Sequence, residues 1–224
     1  MFPELTALKQ PIAIRKEHIV DKSTTFRVQQ HGKGLSSGKF TVFDPETAAG
    51  EDDVPSTKGA SAEKRPPQKL MHVDGKYVSL EERRAFCDAS GLPLFDVSHR
   101  AAGVTWYVEL PGGNGTPIAR IEPRFSMLKD ELDVHVKNAA ANGEGVTLRA
   151  RGQDIWKQRT NVYLDDKVVM TAKRTDKLSV YVPGKKLEWA VDIAAGMDIS
   201  LASVIVVVLA ANMYDSSMQS SGTS

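Results

Sequence analysis

Cysteine occurs once in the 224 residues, at Cys87, which excludes an internal disulfide framework and fits a reducing compartment. Met1 to Glu17 mixes proline, lysine and glutamate and holds no apolar stretch of the kind a secretory signal needs. The expectation is therefore a cytoplasmic protein, peripheral at a membrane at most. A surplus of one charge sign is also lacking, since the net charge is +1, and this argues against a nucleic-acid partner. Asn114-Gly115-Thr116 has the letters of a glycosylation acceptor, but Pro117 follows it and the segment reads as a turn. Long apolar runs are absent with one exception, Ile199 to Met213, which carries no ionisable side chain in a chain of mean hydropathy −0.29.

An apolar helix has to be surrounded by lipid or by protein. Fifteen residues rise roughly 22 Å, short of the hydrocarbon core of about 30 Å. Asp198 and Asp215 bracket the run, and no Lys or Arg follows Lys186 to anchor it at a membrane face. The sequence therefore predicts a helix enclosed by the protein, with Asp198 as its N-cap. The alternative is a scramblase-like or tail-anchored protein whose helix enters the bilayer.

Most of what precedes the run alternates with period two, the mark of half-buried strands. Phe26 and Val28, Trp106 and Val108, Leu132, Val134 and Val136, Val146, Leu148 and Ala150, Val168, Met170 and Ala172, and Trp189, Val191 and Ile193 each share one face. Turn signals separate these runs: Asp74-Gly75, Ser90-Gly91, Gly112 to Gly115, Asn142-Gly143, Asp165-Asp166 and Pro183-Gly184. Short strands at this spacing predict an antiparallel sandwich or barrel. Residues 49–68 hold one large aliphatic residue, Val54, beside Glu51-Asp52-Asp53 and Pro66-Pro67, and are expected to be a disordered insertion. Residues 1–215 then form a single domain and 216–224 a frayed tail.

Candidate chemistry is sparse. Gly34-Leu35-Ser36-Ser37-Gly38 has the letters of a serine-hydrolase elbow, yet a strand pattern from Lys39 to Phe43 follows it where a helix is needed. Gly32 to Phe40 lacks the glycine spacing and the Ser or Thr of a phosphate-cradling loop. The histidines at 18, 31, 72, 99 and 135 have no ligand spacing among themselves or to Cys87. Asp192 and Asp198 approach the helix start, but Ile193 to Met197 supplies no side-chain oxygen for calcium. No catalytic residue, metal or cofactor is predicted, and the protein is not expected to be an enzyme.

The remaining signal is basic. Between Val146 and Ala190 stand ten Lys and Arg against five Asp and Glu. Arg149 and Arg151 lie two apart on one predicted strand and share a face. Together with Lys173, Arg174, Lys185 and Lys186 they form the candidate surface for an anionic phospholipid. The bland alternative is a solvated barrel wall with ordinary cations.

Four pieces of this sequence resemble the LURP-one-related family, within the tubby C-terminal-like superfamily that also includes phospholipid scramblases. They are Ser37-Gly38-Lys39-Phe40-Thr41-Val42-Phe43-Asp44, the hairpin Arg83-Arg84-Ala85-Phe86-Cys87-Asp88-Ala89-Ser90-Gly91-Leu92-Pro93-Leu94-Phe95, the strand Trp106-Tyr107-Val108-Glu109, and Gly196-Met197-Asp198 leading into the apolar helix. The resemblance implies a mainly β fold, a closed antiparallel β-barrel of about twelve strands enclosing the C-terminal hydrophobic helix. Tubby domains bind phosphoinositides through basic barrel residues. With no catalytic set in the sequence, the leading expectation is a monomeric, non-enzymatic module that docks to anionic phospholipid or a membrane-associated partner. A ligand-free structural interaction domain is the third reading.

Overall fold

The computed structural model describes residues 3–31, 39–44, 67–76, 82–99, 103–112, 115–124, 131–154, 158–175 and 187–221, with helix side chains described through Asn212. Twelve strands follow one another around a closed barrel: β1 (Thr24–His31), β2 (Lys39–Phe43), β3 (Lys69–Lys76), β4 (Glu82–Asp88), β5 (Pro93–His99), β6 (Trp106–Glu109), β7 (Ala119–Arg124), β8 (Glu131–Asn138), β9 (Glu144–Gly152), β10 (Arg159–Leu164), β11 (Lys167–Arg174) and β12 (Glu188–Ile193). Each pairs antiparallel with its sequence neighbours, and β12 closes the circle on β1 through Phe26↔Val191 and Val28↔Trp189. Among the described residues, closure gives every strand a neighbour on both sides.

The period-two pattern explains the two faces. Phe26, Val28, Val42, Val73, Phe86, Val97, Val108, Ile121, Val134, Leu148, Val162, Met170 and Val191 point inward and are almost wholly buried. Through this interior runs α1 (Ile199–Ser221), whose residues from Ser200 to Ala211 are all buried. Its apolar character on every side is thus met by the inner wall of the barrel. Among the described residues, no helix is long and apolar enough to cross a membrane. The helix runs past the expected end at Met213 because neither Gly nor Pro stands before Gly222.

At the end where α1 begins, a segment from Thr6 to Val20 straps the barrel. Thr6 N donates to Val168 O (2.8 Å), Leu8 N to Ala195 O (3.0 Å), Ile12 N to Gly196 O (2.9 Å) and Val20 N to Met197 O (3.0 Å). Asn138, buried at the end of β8, accepts from Ala13 N at 3.0 Å and donates to Pro11 O at 2.8 Å. Gly196 has φ +89°, and a Cβ there would lie 3.0 Å from the Leu8 Cβ, so the chain can pass under the strap only as glycine.

Two local expectations differ from the structure. Asp74-Gly75 lies inside β3, because the ladder to β4 continues through Asp74↔Ala85 and Gly75↔Arg84 and overrides the turn propensity. Of the expected insertion at 49–68, residues 49–66 lie outside the described residues, and Gln68 O accepts from Asp44 N at 2.8 Å as β3 begins. Pro183-Gly184, Ser36 and the tail from Gly222 onward also lie outside them.

Candidate functional site

With α1 filling the barrel, contacts to other molecules fall to the outer wall and to the two ends. On the outer wall, Arg149 and Arg151 alternate outward from the buried Leu148 and Ala150, as the period of β9 requires. The register sets acids against them: Asp133 of β8 faces Arg149 and Glu131 faces Arg151. On the other side of β9, Tyr163 faces Arg149 and Asn161 faces Arg151. The Arg151 guanidinium lies 5.7 Å from the centre of the Tyr163 ring, a cation–π contact. Gln153 Nε2 (3.5 Å) and Asn161 Nδ2 (3.3 Å) in turn reach the Tyr163 hydroxyl.

Arg124 joins this group from β7 and pairs with Asp133 through its guanidinium. Arg124, Glu131, Asp133, Arg149 and Arg151 border a shallow depression of about 150 Å³. Three guanidiniums around two carboxylates leave a net positive rim with fork-shaped donors suited to a phosphate.

Lys173 also faces outward, but on β11, opposite Arg159 of β10 and Ala190 of β12. It stands two strands away from β9. Arg174, its sequence neighbour, turns inward opposite Trp189 and is only 8% exposed. The structure thus brings Arg149 and Arg151 together, sets Lys173 beside Arg159, and puts Arg174 inside the barrel. Lys185 and Lys186 lie outside the described residues.

Arg124, Glu131 and Asp133 do not stand out in the sequence. A charge count along the chain from Val146 to Ala190 cannot see acids that the register brings in from β8. The alternation of Glu131 and Asp133 with Leu132 and Val134 was the signal that could have found them.

The end of the barrel away from the strap is polar inside. Gln30, Arg84 and Arg174 occupy inward positions there and are nearly buried. The Arg84 guanidinium lies 5.2 Å from the Trp106 ring centre and 5.7 Å from that of Phe40. Trp106 Nε1 donates to Asn212 Oδ1 of α1 at 3.3 Å, which ties the wall to the helix.

Several other titratable side chains have structural partners. Asp198, fully buried, accepts from Ser200 N (2.6 Å) as the N-cap of α1 and from Ile14 N and Arg15 N (both 2.9 Å) of the strap. Burial pushes its carboxyl up to about 6, while the donated N–H groups pull the other way. His18 Nδ1 stands 2.5 Å from Ser200 Oγ, and burial lowers its affinity for a proton. His31 meets Thr41 Oγ1 (2.7 Å), His72 meets Asp88 O (3.1 Å) and His135 meets Thr147 Oγ1 (3.1 Å). Asp192 accepts from Thr25 Oγ1 (2.6 Å) and Thr171 Oγ1 (3.1 Å) on the outer wall. Desolvation, then the carboxylates of Asp74, Asp88 and Asp96, push the Cys87 thiol up, away from the reactive thiolate. Among the described residues no three of His, Cys, Asp and Glu converge as a metal site would require.

An X-ray structure of a protein from Arabidopsis thaliana superposes with a TM-score of 0.56 at 16% identity, covering 89% of this chain and 96% of that one, and so shares the fold. A search of curated protein sequences finds no match to the chain. The family profile described as LURP-one-related matches residues 24–210, from the first residue of β1 to the last buried turns of α1. The barrel, its order of strands and the enclosed helix are thus carried by one continuous match, and the chain belongs to the LURP-one-related family.

Proposed function

We propose that the protein is a non-enzymatic module that docks to anionic phospholipid through the outer wall at Arg124, Arg149 and Arg151. The observation that carries this reading is the depression of about 150 Å³ bordered by these three guanidiniums. A phosphoinositide headgroup offers phosphate oxygens for several forks at once. Each basic side chain near an anionic surface contributes about 1 kcal/mol. Glu131 and Asp133 oppose part of that attraction, so the binding is weak and falls as salt shortens the Debye length to about 10 Å or less. Lys173 with Arg159 extends the cationic surface along the same side of the barrel. The family and its fold are compatible with such a role, and a cytoplasmic location peripheral to a membrane follows from it.

The test is sedimentation of the full chain with phosphatidylcholine vesicles, with and without phosphatidylinositol phosphates, at low and physiological salt. Binding is expected only to the phosphoinositide vesicles and is expected to disappear in the Arg149→Glu/Arg151→Glu variant. Glu131→Gln is expected to strengthen it several-fold, by removing the carboxylate opposite Arg151. No binding at low salt, or equal binding by the charge-reversed variant, sinks the proposal.

A further inference from the structure

One histidine stands on the same outer face as the guanidinium cluster. His135 follows Asp133 by two residues on β8, so both side chains point outward between β7 and β9. Across from it lie Arg120 of β7 and Thr147 of β9. Its Nδ1 is 3.1 Å from Thr147 Oγ1, and its Nε2 is 3.6 Å from Glu122 Oε2. Glu122 is held in turn by Arg120 Nε, 2.9 Å from its other carboxylate oxygen. The remaining histidines lie elsewhere: His18 in the strap, His31 on β1, His72 on β3 and His99 on β5.

The two ring nitrogens meet partners of different kinds. The Thr147 hydroxyl both donates and accepts, so it serves Nδ1 whether or not that nitrogen carries a proton. The Glu122 carboxylate only accepts, so a proton on Nε2 faces an acceptor, and the neutral and the charged ring both fit. The charged groups around the ring are Arg120 and Glu122 on β7, Asp133 and Lys137 on β8, and Arg149 on β9. Asp133 pairs with Arg124, and among the described residues Arg149 and Arg151 hold no ion pair, so their forks are open to a ligand. The outer face of β7, β8 and β9 thus sets Arg120, Arg124, Lys137, Arg149 and Arg151 against the carboxylates of Glu122, Glu131 and Asp133. A protonated His135 raises that excess of positive charge from two to three.

We propose that His135 makes the docking of this wall to anionic phospholipid pH-dependent, tightening it as the pH falls from about 7.5 to about 5.5. The inference rests on the docking proposed above and adds its regulation. Histidine is the side chain whose charge changes between about pH 5 and 8. When neutral, His135 adds nothing to the attraction. When protonated, it adds a charge beside the guanidiniums and offsets Glu122, the carboxylate directly opposite Asp133. One further basic charge near an anionic surface is worth about fivefold in affinity. Acid also protonates phosphate monoesters, with a second pKa of about 6, and this weakens the attraction for any cationic surface. Wild type and variant meet the same vesicles, so the ratio of their affinities isolates the ring.

The test compares the full chain with its His135→Gln variant by sedimentation with phosphatidylcholine vesicles containing phosphatidylinositol phosphates, at low salt and at about pH 7.5 and 5.5. The two are expected to bind equally at the higher pH, and the wild type about fivefold more tightly at the lower. His135→Lys carries the charge at both values. It is expected to bind about fivefold more tightly than the wild type at the higher pH and equally at the lower. His72→Gln is the control: His72 Nε2 also lies 3.6 Å from a carboxylate, that of Asp74, but on β3, away from this face. It is expected to match the wild type at both values. The inference is overturned if the ratio of wild type to His135→Gln is the same at both, if His135→Lys gains nothing at the higher pH, or if His72→Gln reproduces the effect of His135→Gln. Flat ratios with binding that Arg149→Glu/Arg151→Glu abolishes leave the docking standing and remove its regulation. No vesicle binding by the wild type at either pH removes the docking itself, and the regulation with it.

Discussion

The end of the barrel where α1 begins and the end around Asn212 satisfy their polar groups by different means. At the first, main-chain groups of the strap meet main-chain groups of β11 and of Ala195 to Asp198 on the approach to α1, and one buried carboxylate, Asp198, collects three further N–H donors. At the second, among the described residues, long side chains turn inward: Arg84 over two aromatic rings, Arg174 opposite Trp189, and Trp106 on Asn212. Main-chain contacts of this kind have few alternatives, since an unmet buried N–H costs about 1–3 kcal/mol. Side-chain contacts of polar and aromatic groups are individually worth about 1 kcal/mol and tolerate rearrangement. The first end should therefore fix where the helix sits, while the second finishes the barrel around it.

The largest effect is expected from removing what both ends hold. A chain ending at Gly196 loses α1, with Leu201, Val204, Ile205, Val206, Val207, Val208 and Leu209 all buried. Each such side chain contributes about 1.5–3 kcal/mol, so their sum of about 10–20 kcal/mol matches or exceeds a typical net stability of about 5–15 kcal/mol. Residues 1–196 are expected to give no near-ultraviolet circular dichroism and to aggregate. A soluble, cooperatively folding 1–196 would break the account of α1 as the core and favour a helix that enters a bilayer.

Next comes the carboxylate at the strapped end. Asp198→Ala leaves the N–H groups of Ile14, Arg15 and Ser200 without their acceptor and is expected to cost about 2–4 kcal/mol by urea unfolding. The pH dependence sharpens this. With its carboxyl raised to about 6, folded Asp198 keeps a proton that the unfolded chain releases near 3.8. Stability contributed by that group is full below about pH 4, declines as pH rises from about 4 to 6, and is constant above, a change of roughly 3 kcal/mol. His18, whose proton affinity burial lowers, slopes the opposite way. The difference between the wild type and Asp198→Asn therefore isolates the carboxylate. If that difference is flat from pH 4 to 7, Asp198 is not the desolvated group its contacts describe.

What the sequence disclosed follows the same division. The helix from Ile199, its cap at Asp198 and the inward faces of most strands were legible because each is a local pattern of polarity. The closed twelve-strand barrel came from the family resemblance together with that alternation. The strap was not legible: Thr6 to Val20 has no periodicity, and its role rests on main-chain hydrogen bonds that any residue could make. The charged surface was legible only in part. Adjacent residues on a strand point to opposite faces, which is why Lys173 and Arg174 part company. Pairing across strands depends on register, which is why Glu131 and Asp133 were missing beside Arg151 and Arg149. Lys185 and Lys186 fall outside the described residues.

The smallest effect tests the other end directly. Trp106→Phe removes the indole N–H that reaches Asn212 Oδ1 at 3.3 Å, while a ring remains for the Arg84 guanidinium. A neutral hydrogen bond of this length and the lost ring volume together are expected to cost about 1–2 kcal/mol. Native-state hydrogen exchange gives the positional readout: amides near Asn212 are expected to open more readily in the variant, and amides near Ser200 to keep their protection. Because α1 is anchored at the strap, loss of one side-chain contact at its far end loosens only the turns around that contact. If Trp106→Phe instead costs more than Asp198→Ala, or lowers protection along the whole helix, then the side-chain end fixes α1 and the assignment of roles to the two ends is reversed.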